Sequence, residues 1–418
     1  MGFFTWLRKR TPSETKRIAR RFRPTLEILE DRWLPSTLTV TNNLDSGAGS
    51  LRAEIAAARN NDTIVFAPSL DGQTIVLTSG ELLIQKNLMI AGPGASQLTI
   101  SGNQTSRAFE LASKYQLNLS GLTISNGDGV FAAGSSYNTN GKGGGIFNSG
   151  TLTVSNCVIS GNSASIGGGG IFNQGTLTVS SNSVLTGNSS SKYGGGIYNY
   201  GFSGVTVTVN NSTLSGNHAV DGGAIWNDYY AAVTLQGGST LSGNSAFDGA
   251  GIFNRSGTVI VSSCTLSSNS ASFEGGAIYN AAANYGVPTG TVTIQQNSTL
   301  TDNSAARAGA IYNANGGKLT IDGSTLSDNT ATYTGGGILD YGWLTVNGSN
   351  LTGNSADQAG GGIMLGASYA TVTIKNNSSI TGNTAPAGFG PDADNLGVLY
   401  LDSTSTIGIL DGNPATPI

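Results

Sequence analysis

A single histidine, His218, among 418 residues rules out a multi-histidine metal centre and leaves at most one imidazole base. Cysteine is nearly missing too: Cys157 and Cys264 are too few for a disulfide framework and say little about redox compartment. Charged residues are only 11% of the chain and the net charge is -4. There is no basic stripe for phosphates, so nucleic acid is not an expected partner. No apolar run approaches the roughly 18 residues of a membrane helix. The 10 prolines and scarce charge argue against generic disorder, and glycine follows no every-third-residue rule, which excludes collagen. What is present in excess is glycine, 62 residues, roughly twice average usage. A long, polar, Gly-rich chain that must still bury a core usually does so as a stacked repeat.

The few charges are unevenly placed. Residues 1–40 hold nine of the 20 Lys and Arg against four acids, a balance of +5, which leaves 11 bases and 20 acids, or -9, for the rest. Phe3 to Leu7 is too short for the apolar core of a signal peptide. Trp6 stands where a myristoylation site needs Ser or Thr. Further along, Leu29, Glu30, Arg32, Leu34 and Ser36 fall at matching positions of a segment that resembles the LEPR-XLL type found on bacterial surface and secreted proteins, with Pro35 in place of its usual Leu. The resemblance implies a sorting function for residues 1–36 and an extracellular or cell-surface location.

From residue 143 onward the sequence repeats. The anchor is Gly-Gly-(Gly/Ala)-Ile-(Phe/Tyr/Trp)-Asn, with its Ile at Ile146, Ile171, Ile197, Ile225, Ile252, Ile278, Ile311, Ile338 and Ile363. The steps are 25 to 28 residues, apart from one of 33 that contains an insertion, Ala281 to Gly290. Each period carries three short strand signals and no helical period. Three strands per turn make one coil of a parallel β-helix, with stacked coils about 4.8 Å apart. Two Asn rows recur with the coils, one from Asn162 to Asn383 and one from Asn148 to Asn313 that ends in Asp340 and Leu365. Stacked Asn side chains can hydrogen-bond from coil to coil, and we assign them no chemistry.

The Gly-Gly-x-Ile and x-x-x-Asn pairs resemble the repeats of right-handed parallel β-helix proteins, including the polymorphic outer membrane protein repeat, with Leu or Ile where that repeat usually has Phe. The resemblance implies an all-β solenoid of about nine regular coils over 136–385. Those outer-membrane relatives end in a membrane β-barrel, whereas residues 386–418 are too short for one. Residues 37–135 are expected to form irregular opening coils with a short helix, Leu51 to Arg59, capped by Ser50 as a lid on the core. Residues 386–418 should close the other end.

Cys157 and Cys264 occupy the same coil position four coils apart, about 19 Å, and are expected as free thiols. Four residues before the anchor Ile, consecutive coils place Asp221, Asp248 and Glu274 in one column with Arg307 next. Stacked like charges oppose one another unless a cation or partner is bound. The column is therefore a candidate Ca²⁺ site at Asp221, Asp248 and Glu274, or a ligand site that includes Arg307 and His218. No other cofactor is implied. His218 itself sits in a slot otherwise filled by Ser or Thr, which reads more simply as a polar turn residue. The residue after each anchor Ile forms an aromatic column: Phe147, Phe172, Tyr198, Trp226, Phe253, Tyr279 and Tyr312. With Ile and Asn inward, alternation sends these rings outward as an exposed or partly covered strip. The opposite parity would bury them in the core.

Together these features describe a secreted or cell-surface structural or adhesive rod, expected as a monomer, that presents a repetitive side to a polysaccharide or a cell-surface protein. The alternative is a carbohydrate-active enzyme, a polysaccharide lyase or hydrolase working at the acid column on coils 3 to 5. A convergent groove, or the insertion folded over the column, would favour the enzyme.

Overall fold

The computed structural model describes residues 34–129, 140–201, 204–281 and 289–418. The sorting segment expected over 1–36 lies almost wholly outside the described residues, as does most of the insertion. Pro35–Ile418 forms one unit, and it is a parallel β-helix. Three sheets run its length: a first of fifteen strands from Thr37–Val40 to Thr416–Pro417, a second of thirteen from Leu82–Ile84 to Leu410–Gly412, and a third of thirteen from Gln73–Val76 to Thr406–Ile407. Fourteen steps between fifteen strands make a stack about 65 to 70 Å long.

One coil shows why this sequence folds this way. Ile171–Asn173 lies in the second sheet, Thr176–Ser180 in the first and Val184–Thr186 in the third. Within the five-residue strand Leu177 and Val179 point in and the threonines point out, the period of two expected of a strand with one face on a core. Every neighbouring pair is parallel, and anchor Ile stacks on anchor Ile from Ile146 to Ile363. A short fourth sheet forms at the corner before the anchor, with strands such as Ser245–Asp248 and Ser270–Glu274.

The anchor glycines answer two separate needs. The first sits in the left-handed region, as at Gly168 (φ 67°), Gly194 (φ 58°) and Gly275 (φ 67°). The second has no room for a side chain: a Cβ on Gly169 would lie 2.2 Å from the Ser189 carbonyl oxygen. Inside the coil both Asn rows form hydrogen-bonded ladders. Each Asn Nδ2 donates to the Oδ1 of the next coil, at 2.8–3.0 Å along Asn162 to Asn383 and 2.6–2.9 Å along Asn148 to Asn313. Because every amide donates toward the C-terminal end, the last partner needs only to accept. A carboxylate ends each ladder, Asp392 at 2.9 Å from Asn383 and Asp340 at 2.6 Å from Asn313.

The rod is longer than the nine anchored coils. The opening segment also makes full coils in register, Phe109–Leu111 pairing with Ile146–Asn148 and Leu82–Ile84 with Phe109–Leu111. Leu and Phe fill the inward positions there without the Gly-Gly anchor or the Asn, so the sequence pattern misses coils that the apolar ladder still builds. The capping helix is Leu51–Ala57, with Ser50 Oγ accepting from Ala53 N–H and Leu51 and Ile55 buried. Lys86 Nζ closes its other end on the carbonyls of Ile55, Ala56 and Ala58. Below the helix a fully buried Arg107 is held between Glu81 and Glu110. No helix among the described residues is long and apolar enough to cross a membrane.

Candidate functional site

The aromatic column leaves the main core by the face opposite Ile and Asn, as alternation requires, but it is not an exposed strip. Phe147, Phe172, Tyr198, Trp226 and Phe253 are buried in a second apolar cluster outside the first, while Tyr279 and Tyr312 are half-buried. The rings stack on one another along the rod: Trp226 on Phe253 at 4.2 Å, Phe253 on Tyr279 at 4.6 Å and Tyr279 on Tyr312 at 4.9 Å between centroids. Tyr193 and Tyr200 cover the flank, and Lys142 lies over Phe172 and Tyr200. The sequence contained the cue. Residues four before the anchor sit beside the rings, so that a Cβ on Gly167 would lie 2.1 Å from Tyr198 Cδ1, and that same row includes the acids.

The acid column forms as expected. Asp221 pairs with Asp248, Asp248 with Glu274 and Glu274 with Arg307 in parallel register. Asp248, Glu274 and Arg307 each have partners of their own, however, and the column does not converge on a shared ligand. Asp248 Oδ1 accepts from the Glu274 backbone N–H at 2.9 Å. Glu274 Oε1 accepts from Arg307 Nη1 at 2.7 Å, and Arg307 Nη2 donates to Tyr341 Oη at 2.7 Å. Among the described residues no group of three His, Cys, Asp or Glu is placed to hold a metal ion. The Ca²⁺ cage expected at Asp221, Asp248 and Glu274 is therefore not built, and the Asp248 and Glu274 carboxylates turn to partners of their own.

Burial against the rings is the largest influence on these acids. It pushes Asp221 up to about 6, helped by the Asp248 charge, and Asp248 up to about 6 against the pull of the Glu274 N–H. Glu274 rises to about 7 despite the Arg307 guanidinium. The column thus takes up protons at a higher pH than ordinary carboxylates, and protonation below about pH 6 relieves the like-charge stacking. On the neighbouring coil corner, Asp228 accepts from Tyr198 Oη at 3.3 Å with Arg255 at 3.9 Å, and burial raises its pKa too.

His218 is not part of this column. It is exposed, its Nδ1 lies 2.9 Å from Ser245 Oγ, and it borders a shallow depression lined mainly by serines and Asp128. It substitutes for hydroxyl residues in a row that otherwise reads Ser163, Ser189, Ser245 and Ser270. Cys157 and Cys264 are both free and buried, and burial drives the Cys157 thiol up to about 11.

An exposed apolar feature does exist one residue away from the acids. Five residues before the anchor, Val220, Phe247, Phe273 and Tyr333 are 48, 50, 38 and 48% exposed. The Phe247 and Phe273 rings stack at 5.4 Å and 24°. They alternate with the acids along the fourth sheet, where Phe273 faces solvent and Glu274 is buried. The sequence reading passed over this row because Lys192, Ala306 and Gln358 interrupt it. A one-residue offset from the acid column was the available signal.

Rod, anchored coils and lateral ridge together define a β-helix repeat protein. Two segments, residues 182–200 and 263–281, match the model of the Chlamydia polymorphic membrane protein repeat. Each runs from the third-sheet strand through the corner to the anchor. No curated protein and no solved structure matches the chain.

Proposed function

We propose that the chain is a surface-associated β-helix scaffold that holds a polysaccharide along the ridge formed by Val220, Phe247, Phe273 and Tyr333. The observation that carries this reading is the ridge itself: large apolar side chains stand half in water on a rigid sheet edge, where burying them against a partner is favourable. Hydroxyls of Ser245, Ser270 and Ser304 run beside them on the same short sheet, so rings and hydroxyls together offer a sugar both stacking and hydrogen bonds. Extracellular or cell-surface placement is the setting that the repeat match supports, since it is a repeat of membrane proteins. The rod supplies rigidity and the ridge supplies contact.

The test is binding of the full chain to an array of bacterial-envelope and host polysaccharides, alongside the double variant Phe247→Ser/Phe273→Ser. Binding that weakens by about tenfold or more, the equivalent of 1.4 kcal/mol, is the expected result. Binding that the double variant leaves unchanged would remove the ridge from the account. Capture of surface proteins but no polysaccharide would replace the ligand class.

A further inference from the structure

The outward face of the third sheet takes no part in the ridge or the aromatic stack. Its strands in the repeat are short, so each points one side chain into the core and two outward. In five consecutive coils the first outward residue is threonine: Thr213, Thr240, Thr265, Thr299 and Thr325. A second hydroxyl row, from Ser215 to Ser327, runs alongside it in the same register, without a bulge. All five threonines are half-exposed. No strand of this sheet, from Gln73–Val76 to Thr406–Ile407, contains an ionisable residue.

Among the described residues none of the five threonine hydroxyls has a hydrogen-bond partner within the protein. The second row bonds along itself, as Ser215 to Thr186 and Ser327 to Thr301 at 3.2 Å, and at its edge Thr301 donates to Asp302 Oδ2 at 3.2 Å. Water must therefore satisfy the threonine row. Its positions are fixed in two directions at once, about 4.8 Å along the rod and about 6.7 Å across each strand. The threonine methyls between the hydroxyls offer those waters no competing partner.

We propose that this face binds ice. Hexagonal ice presents rows of oxygen atoms whose two perpendicular repeats are close to those of the hydroxyl rows, so waters held on the sheet can join the lattice with little displacement. The absence of charge from the threonine row fits a neutral crystal, because an ionisable group there would order water around itself and break the row, and the Asp302 carboxylate stands beyond the second row at the edge of the face. A single polysaccharide strand repeats in one direction only and would leave the second row unused. The regular spacing comes from the unbroken parallel register of the sheet.

The experiment measures ice-crystal shaping, freezing hysteresis and partition into slowly growing ice for the full chain, for Thr265→Tyr and for Phe247→Ser. Tyrosine keeps strand propensity but projects a ring from the middle of the face. The native chain should shape crystals and concentrate in the ice. Thr265→Tyr should lose about tenfold of that activity with an unchanged melting temperature, whereas Phe247→Ser should retain it. A native chain that leaves crystals unshaped and stays in the liquid at its highest soluble concentration overturns the proposal, as does full activity in Thr265→Tyr. Since Phe247→Ser tests the ridge alone, failure of one reading is separable from failure of the other.

Discussion

At Gly243 and Gly169 one residue type meets two different demands. Gly243 has φ 61° with open space around its missing side chain, whereas a Cβ on Gly169 would meet two backbone carbonyl oxygens at 2.2 and 2.6 Å. Alanine at 243 should therefore cost about 1 kcal/mol, the price of a left-handed residue. Alanine at 169 must push the next coil away and should cost about 3 kcal/mol or more. Urea unfolding of the two variants checks the difference, and equal losses would contradict the assignment. Asp340 is the other decisive residue. It ends an Asn ladder with Oδ2 unpaired and buried, and burial drives its pKa up to about 7. The folded chain then binds more protons than the unfolded chain between about pH 4 and 7, so stability falls as pH rises through that window. Asp340→Asn should stabilise the protein at pH 8 by about 1 to 3 kcal/mol and leave it little changed at pH 4. A melting curve at each pH decides this.

The acid column and the ring stack are two elements that the sequence resolves as columns but not as neighbours. The order Asp221, Asp248, Glu274, Arg307 and the free cysteines follow from the repeat offset alone, whereas the outward direction of the rings was one of two parities that the sequence allows. Burial of the rings does not follow from the offset, because it depends on how Tyr193, Tyr200 and Lys142 fold over them across coils. The same cause hid the raised pKa values of the acids, which left a calcium site as one candidate reading of the column. The exposed ridge was missed because Lys192, Ala306 and Gln358 interrupt its row. Two tests belong to this scale. The folded pKa values of about 6, 6 and 7 lie above the ordinary carboxylate range, so these acids stabilise the fold less as pH rises from about 4 to 7. The triple variant Asp221→Asn/Asp248→Asn/Glu274→Gln should accordingly lose much of the drop in melting temperature between pH 5 and pH 8. A drop as large as that of the native chain would mean that the acids are solvated. Trp226→Ala removes contacts with Tyr193, Tyr198 and Phe253 and should destabilise by about 3 to 5 kcal/mol, a loss that an exposed strip would not show on thermal unfolding.

For the whole molecule, the account requires that opening coils and anchored coils form one continuous support. The helix lid, the buried Arg107 and the ladders belong to different stretches of sequence, yet the first sheet runs unbroken through all of them. In a solenoid each coil contacts only its neighbours, so a weak boundary would show as a break in protection. Amide hydrogen exchange along residues 35–418 is the most direct measurement. Inward positions of the first sheet, from Val40 through Leu117, Leu177 and Val292 to Val372, should exchange slowly as one block. Rapid exchange over residues 37–129 beside a protected repeat region would contradict the continuous rod on which both the ridge and the hydroxyl face depend.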